Sequence, residues 1–302
     1  MTNAAVLALL AILTTVPGLR EAPGQGQEAS PPSPPAQSDA SSTDEDDMSF
    51  QRAQPDFTLV NLPTTLRLPR YKSAFRVTHR FTRPLGQGTF ADSLEDLFGL
   101  DSGAQIGLEF RFAPIRGGQL GIHRTNDKTI EFFGQYHVWQ GPEDLPIGVA
   151  ALATIEGMDN FKAVYSPSLG ASVSVTLRDT LALHAVPMWV GNTNPFDADV
   201  VEDDNTVMVG VGARLRVRRG LYLVGEAWPR LAGFKGGDPT GLTAVGEGKT
   251  LGSFGIELQA GGHLFQINFS NAWATTPANI ARGAAPGQTD WYLGFNISRK
   301  FF

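Results

Sequence analysis

Cysteine is absent from all 302 residues, which removes disulfide frameworks, thiolate metal sites and a lipid-modified N-terminal cysteine. Helix-length apolar runs are scarce as well. Ala4–Val16 in "MTNAAVLALLAILTTVPGLREAPGQ" is a predominantly apolar stretch of 13 residues. That is too short to span a bilayer as a helix and suits a signal-peptide core, with Val16 and Gly18 flanking a cleavage position. Residues 1–18 are read as a signal peptide. Charge of one sign is lacking in the body of the chain. Residues 1–50 hold seven acids against the single base Arg20, so they carry the whole net charge of −6 and the remainder is neutral. No basic stripe stands above that balance, which excludes a nucleic-acid partner. Residues 19–54, "EASPPSPPAQSDASSTDEDDMSFQ" and its flanks, have almost no large apolar groups and read as a disordered Pro/Ser/acidic spacer.

Helical periodicity is the remaining absence. Beyond Gln54 the period is two. "AFRVTHRFT" sets Phe75, Val77, His79 and Phe81 against Arg76, Thr78 and Arg80. "QIGLEFRF" sets Ile106, Leu108, Phe110 and Phe112 against Gly107, Glu109 and Arg111. Such alternation, with a small, polar or charged second face, is that of β-strands. It predicts about twelve, near 73–83, 104–112, 119–125, 129–139, 146–156, 167–177, 181–190, 207–217, 221–229, 251–260, 263–272 and 289–302. Weak patterning over 119–125 and 146–156 leaves ten or fourteen open. A two-residue turn at Gly261–Gly262 would pair Ala260 with His263, Leu258 with Phe265, Ile256 with Ile267 and Phe254 with Phe269, all on one face.

The connections alternate. Long loops at 84–103, 157–166, 191–206, 230–250 and 273–288 alternate with short turns at 113–118, 140–145, 178–180, 218–220 and 261–262; only Asn126–Lys128 is short where a long loop is due. This rhythm is that of an outer-membrane barrel with both chain ends on the short-turn side, in the periplasm. Alternation alone equally suits a soluble barrel or sandwich. Strand lengths near 9–12 residues, charges in mid-strand, a continuous apolar face and a last strand running to the chain end favour the membrane. The expected fold is all-β: an antiparallel transmembrane up-and-down β-barrel over 73–302, preceded by a periplasmic lip or short plug over 55–72.

The stretches "VNLPTTLRLPRYKSAFRVTHRF" (60–81), "LFGLDSGAQIGLEF" (97–110), "VGVGARLRV" (209–217), "YLVGEAWPR" (222–230) and "GGHLFQINFSN" (261–271) resemble an uncharacterised family of small bacterial outer-membrane β-barrels, known as a domain of unknown function. The resemblance implies a fold and a location and brings no catalytic residues. Phe302 resembles the terminal aromatic by which outer-membrane barrels are recognised for assembly, which implies the barrel assembly machinery and outer-membrane lipid as partners. Its phase is irregular: the apolar series is Trp291, Leu293, Phe295, Ile297 and Phe301, while Phe302 falls in phase with Gly294, Asn296, Ser298 and Lys300. Either a bulge near Arg299–Lys300 resets the register, or Phe301 meets lipid and Phe302 turns away.

The lumen-lining candidates are Arg76, Arg80, Glu109, Arg111, Glu131, His137, Arg214, Arg216, Glu226 and Glu257, with Glu156 and Lys300 on the same face. They form either a ladder of ion pairs filling a narrow lumen or a polar path for small solutes. Arg214 lies diagonal to Glu226 in the expected register. His123 and His137 could meet across neighbouring strands, yet two ligands make no metal site. Ser172, Ser174 and His184 are hydrolase candidates without a supporting motif. The acidic loop Asp197, Asp199, Glu202, Asp203, Asp204 lacks the glycine and ligand spacing of a calcium loop. Trp139, Trp189, Trp228, Trp273 and Trp291 fall near strand ends, as interfacial anchors do. No cofactor, metal or catalytic residue is assigned, and no enzyme is expected. The function expected is a narrow pore or binding barrel for small polar or charged solutes; the alternatives are a sealed structural or partner-holding barrel and an outer-membrane hydrolase. Deleting Phe302 is expected to lower the yield of heat-modifiable folded barrel more than Phe301→Ala does. Equal yields would count against that division of roles.

Overall fold

The computed structural model describes residues 53–95, 103–142, 146–194, 204–235, 248–283 and 290–301. The stretch expected to be a signal peptide, most of the acidic spacer, Asp197–Asp203 and Phe302 lie outside the described residues.

The strands are β1 (Ser73–Phe81), β2 (Ala104–Ile115), β3 (Gly118–Thr125), β4 (Ile130–Gln140), β5 (Ile147–Gly157), β6 (Ala163–Leu177), β7 (Leu181–Val190), β8 (Thr206–Arg218), β9 (Leu221–Trp228), β10 (Arg230–Gly233), β11 (Leu251–Ala260), β12 (His263–Ser270) and β13 (Tyr292–Phe301). Each pairs antiparallel with its neighbour, β13 pairs β1, and β9 joins β8 to β11, so the sheet closes on itself. β10 continues β9 past Pro229 along the same partner, β8. The wall is therefore a closed antiparallel barrel of twelve strands, and closure leaves no unpaired edge. Among the described residues two short helices, α1 (Phe90–Glu95) and α2 (Pro277–Arg282), sit in long connections, and Met158–Phe161 forms a tight turn with left-handed Asp159 and Asn160 between β5 and β6.

Register follows the alternation. Ala260 pairs His263, Leu258 pairs Phe265, Ile256 pairs Ile267 and Phe254 pairs Phe269. Gly261 and Gly262 both have positive φ, 55° and 78°, as a two-residue turn of this hand requires. Bulges at Phe112/Ile115, His137/Trp139 and Arg216/Arg218 all lie beside short turns, at the barrel rim. β13 has no bulge: Ser73 opposite Phe301 and Ala74 opposite Lys300 continue an unbroken ladder, and Phe301 faces outward, 46% exposed. β6 starts at Ala163, inside the stretch expected to be a loop, and β10 lies within the 230–250 connection.

The faces are inverted relative to a water-soluble barrel. Along β11, Phe254, Ile256 and Leu258 are exposed while Ser253 and Glu257 are buried. Leu108, Phe110 and Phe112 on β2 face out, opposite buried Glu109 and Arg111. An apolar surface continuous over so many strands is stable only against hydrocarbon. Trp139, Trp189, Trp273 and Trp291 are outward and exposed, whereas Trp228 is fully buried and departs from the expected interfacial set. Its position at a strand end suited an anchor, but its parity is that of Glu226, the inward face.

Replacing Ile256, at mid-strand on the outer face, by Lys should cost about 2–4 kcal/mol of barrel stability. Urea unfolding in micelles checks this, with Ser253→Lys as the inward comparison.

Candidate functional site

The interior is occupied by the chain's own N-terminal segment. Residues Ala53–Leu66 are buried almost throughout, and Leu68 beyond them is also buried. Their partners come from nearly every side of the ring: Gln119 Nε2 donates to Leu66 O (2.8 Å), Gln135 Nε2 to Thr64 O (2.8 Å), Ser172 Oγ to Pro63 O (2.8 Å), Asn296 Nδ2 to Val60 O (3.0 Å) and Gln266 Nε2 to Leu59 O (3.1 Å). Only a segment inside the ring can reach β3, β4, β6, β12 and β13 together. Ala53 and Gln54, placed in the spacer by composition, already belong to this buried segment.

The segment turns back on itself. Thr58 bridges Pro63 and Leu59 N donates to Leu62 O (2.8 Å), forming a tight hairpin. The tip points its backbone at one carboxylate. Glu226 accepts from Val60 N (3.0 Å), Asn61 N (3.0 Å) and Leu62 N (2.9 Å). Hydrogen bonds to a charged acceptor each contribute about 1.5–3 kcal/mol. The Leu59 and Leu62 side chains fill recesses that exist because β8 carries glycine there. A Cβ on Gly212 would meet Leu59 Cδ1 at 2.5 Å, and one on Gly210 would meet Leu62 Cδ1 at 2.9 Å.

From the long-loop end, α2 comes down to meet the tip. Thr276 caps α2 by accepting from Asn279 N, and Thr276 Oγ1 also donates to Glu156. Arg282 binds Glu156 at 3.0 Å and Ser166 Oγ at 3.0 Å. Ala278, Ile280 and Ala281 then pack in one cluster with Leu59, Val60, Leu62, Val186, Met188, Met208, Val224 and Trp228. A cavity of about 60 Å³ remains beside the tip, touched by Asn61, Arg76, Glu131, Thr275 and Pro277. That is room for roughly two waters.

The sequence-expected lumen residues all lie on the inward strand face. Arg76, Arg80, Glu109, Arg111, Glu131, Arg214, Glu226 and Glu257 are buried, while His137 and Arg216 are half-buried near the short-turn rim. Their pairing differs from expectation. Arg214 does not pair Glu226; it forms a bidentate pair with Glu257 two strands away, at 2.7 and 2.9 Å, and donates to Thr58 O at 2.6 Å. A guanidinium reaches past the intervening β9, whereas Glu226 is taken by the hairpin. Arg111 binds Glu109 at 2.8 and 3.1 Å and lies between the rings of Phe57 (4.9 Å) and Phe133 (4.7 Å). Arg76 bridges Glu109 (3.4 Å) and Val60 O, and Arg80 holds Asn61 Oδ1 (3.2 Å) and Asn296 Oδ1 (2.8 Å).

His123 and His137 do not meet. Cross-strand register sets His123 opposite Glu131, 3.7 Å away, and His137 near Gly117 at the rim. Ser174 Oγ and His184 Nδ1 are 2.7 Å apart, but Thr65 N covers Ser174 (3.4 Å) and Ser172 is committed to Pro63 O. His184 Nε2 has no hydrogen-bond partner among the described residues. No group of three or more potential metal ligands occurs among them either.

Residues 58–62 and the apolar inner wall were not singled out by alternation. Two signals pointed to them. "LALHAVPMWV" in β7 is apolar on both faces except for His184, as befits a strand covered on both sides. "TLVNLPTTLRL" also carries too many leucines for an exposed lip. The Arg214–Glu257 pair is fully buried, so Arg214→Met or Glu257→Met alone should cost about 3–5 kcal/mol, and the double variant less than the sum. A thermal-unfolding double-mutant cycle measures the coupling.

Among solved structures, a NanC porin is similar at 7% identity over 76% of this chain and 99% of its own (TM-score 0.46). The outer membrane phospholipase A from Escherichia coli is similar at 9% identity over 83% and 98% (TM-score 0.44). The COG4313 outer membrane channel from Pseudomonas putida F1 is similar at 10% identity over 78% and 97% (TM-score 0.47). No curated protein matches. The family model of a membrane-bound beta barrel domain, DUF5777, matches residues 56–301, from the buried segment to the closing strand, and the chain belongs to that family.

Proposed function

We propose that the protein is an integral barrel of the bacterial outer membrane that passes or binds small polar or charged solutes. The observation that carries this reading is the inner wall itself: arginine, glutamate, glutamine, asparagine and serine side chains converge on one lumen beneath an outer surface of leucine, isoleucine and phenylalanine. Nothing about spanning a bilayer demands that chemistry inside; a barrel that only had to stand in the membrane could fill itself with apolar side chains. In this orientation the short turns and both chain ends face the periplasm, the long loops face outward, and no catalysis is involved.

A second reading, a sealed structural or partner-holding barrel, is favoured by the meeting of the hairpin and α2 inside the ring. The two readings differ in one measurement. In planar bilayers, passage predicts discrete openings that are rare in the wild-type chain and frequent in Glu226→Gln, whose amide is a weaker acceptor for the hairpin. Silence in both proteins over a wide range of voltage and salt would remove passage and leave the sealed barrel.

A further inference from the structure

The wall does not need the hairpin for its own integrity. Each wall strand is paired on both sides by other wall strands, whereas the segment 53–68 makes only its internal bridge, Thr58 to Pro63. It is attached to the ring by side-chain hydrogen bonds and apolar contacts, and covalently through Pro69–Lys72 into β1. The buried acids divide in the same way. Glu109 has Arg76 and Arg111, Glu257 has Arg214 and Gln266, Glu156 has Arg282 and Thr276, and Glu131 has His123. Glu226 takes its hydrogen bonds from the hairpin amides, among the described residues. Among the described wall carboxylates it is the one hydrogen-bonded by the segment's amides, with Arg80 balancing its charge without a direct ion pair.

We infer that Ala53–Leu68 is a displaceable plug, the built-in occupant of a binding surface made by Glu226 and the recesses over Gly210 and Gly212, and that the ligand displacing it is amphipathic, with clustered N–H donors beside branched aliphatic groups, as in a short leucine-bearing peptide. The inference rests on the passage reading and adds its regulation. The chemistry of the ligand is dictated by what the hairpin leaves behind. Glu226 requires donors to replace three amide N–H groups, since a buried carboxylate without them is strongly disfavoured. The recesses hold one δ-methyl each of Leu59 and Leu62, so tightly that a single added wall Cβ would clash with it. Trp228, whose ring lies against Gly210, has its indole Nε1 buried without a hydrogen-bond partner among the described residues and offers one further donor to an incoming carbonyl. A simple inorganic ion matches the carboxylate or the indole but leaves the recesses empty.

The absence of native cysteine makes the test direct. Leu62→Cys in the otherwise complete chain, reconstituted in lipid vesicles, reports plug position by its rate of reaction with a water-soluble maleimide. Glu226→Gln in that background should raise the rate at least about tenfold, the loss of roughly one charged hydrogen bond, and Glu226→Asp should keep it near the parent. Leu59→Ala, which leaves the wall unaltered, should move the rate in the same direction as Glu226→Gln. The tetrapeptide amide Leu-Val-Asn-Leu should accelerate labelling of the parent and add nothing to Glu226→Gln. Unchanged rates in both Glu226→Gln and Leu59→Ala would overturn the plug, and no response to the tetrapeptide would overturn its ligand. A tether separates plug from pore. A Cβ built on Gly148 lies 3.2 Å from Thr65 Cβ, near the disulfide range of about 3.5–4.5 Å, so Thr65→Cys with Gly148→Cys should lock the segment to β5. Conductance lost on oxidation and restored by reductant supports the plug, and conductance unaffected by a formed disulfide refutes it. Faster labelling without conductance upholds a displaceable plug while removing passage.

Discussion

A closed β-ring in hydrocarbon has one constraint from which the rest of this molecule follows: the polar groups of its inner wall must find most of their partners inside. The backbone is satisfied by closure, since β13 returns to β1 and no ladder edge is left. The inward side chains are not. Some satisfy one another, as Arg214 and Glu257 do. Others rely on the backbone of the segment 53–68, either alone, as Gln135, Ser172 and Glu226 do, or beside a wall partner; its carbonyls and amides act as a peptide-shaped solvent. Glutamine, asparagine, serine and arginine from opposite walls donate to its carbonyls, and Glu226 accepts from its amides. The plug and the polar wall are therefore one system, because each supplies the partners the other lacks.

This dependence explains the small residues of the inner wall. A hairpin occupies width, and a twelve-stranded ring has little to spare. Gly210 and Gly212 on β8 remove side chains where Leu59 and Leu62 arrive, and Gly148 on β5 does so beside Thr65. In β8 the inward series runs Met208, Gly210, Gly212, Arg214, so apolar, void and charge follow one another along a single strand. The hairpin matches that series, with leucines over the void and the Thr58 carbonyl on the arginine.

What could be read from the sequence, and what could not, divides by range. Strand number, the closing pair and the 254–269 register follow from alternation and turn length, which are local properties. The inward face was legible for the same reason: Arg76, Glu109, Arg214 and Glu257 sit in the parity opposite Val77, Leu108, Leu215 and Ile256. Partner choice inside the lumen was not legible, because it depends on curvature and on what fills the space. Arg214 adjoins Glu226 in a flat two-strand register, yet it reaches Glu257 once Glu226 is occupied. Trp228 shows the same limit from the other side. Its place near a strand end suggested the interface, while its parity with Glu226 put it inside.

The distribution of charge partners also bears on how such a barrel can open. Withdrawing a segment that only capped ion pairs would strand no charge, because the pairs would persist in the wall. Withdrawing one that hydrogen-bonds a carboxylate lacking a direct ion pair exchanges amide donors for water, and the exchange is cheap only if water enters as the amides leave. Arg76–Glu109–Arg111 and Arg214–Glu257 keep their ion pairs when the segment leaves and lose only the Val60 and Thr58 carbonyls, whereas Glu226 loses every hydrogen-bond donor it has until new ones arrive. The apolar tip opposes wetting as well, since Leu59, Val60 and Leu62 seal against Ile280 and Ala281 of α2. Opening therefore couples two events, separation of the hairpin from α2 and hydration of Glu226, and neither is favourable alone. A ligand that brings both donors and aliphatic groups satisfies the two together, which is the physical reason for an amphipathic rather than a purely charged displacer.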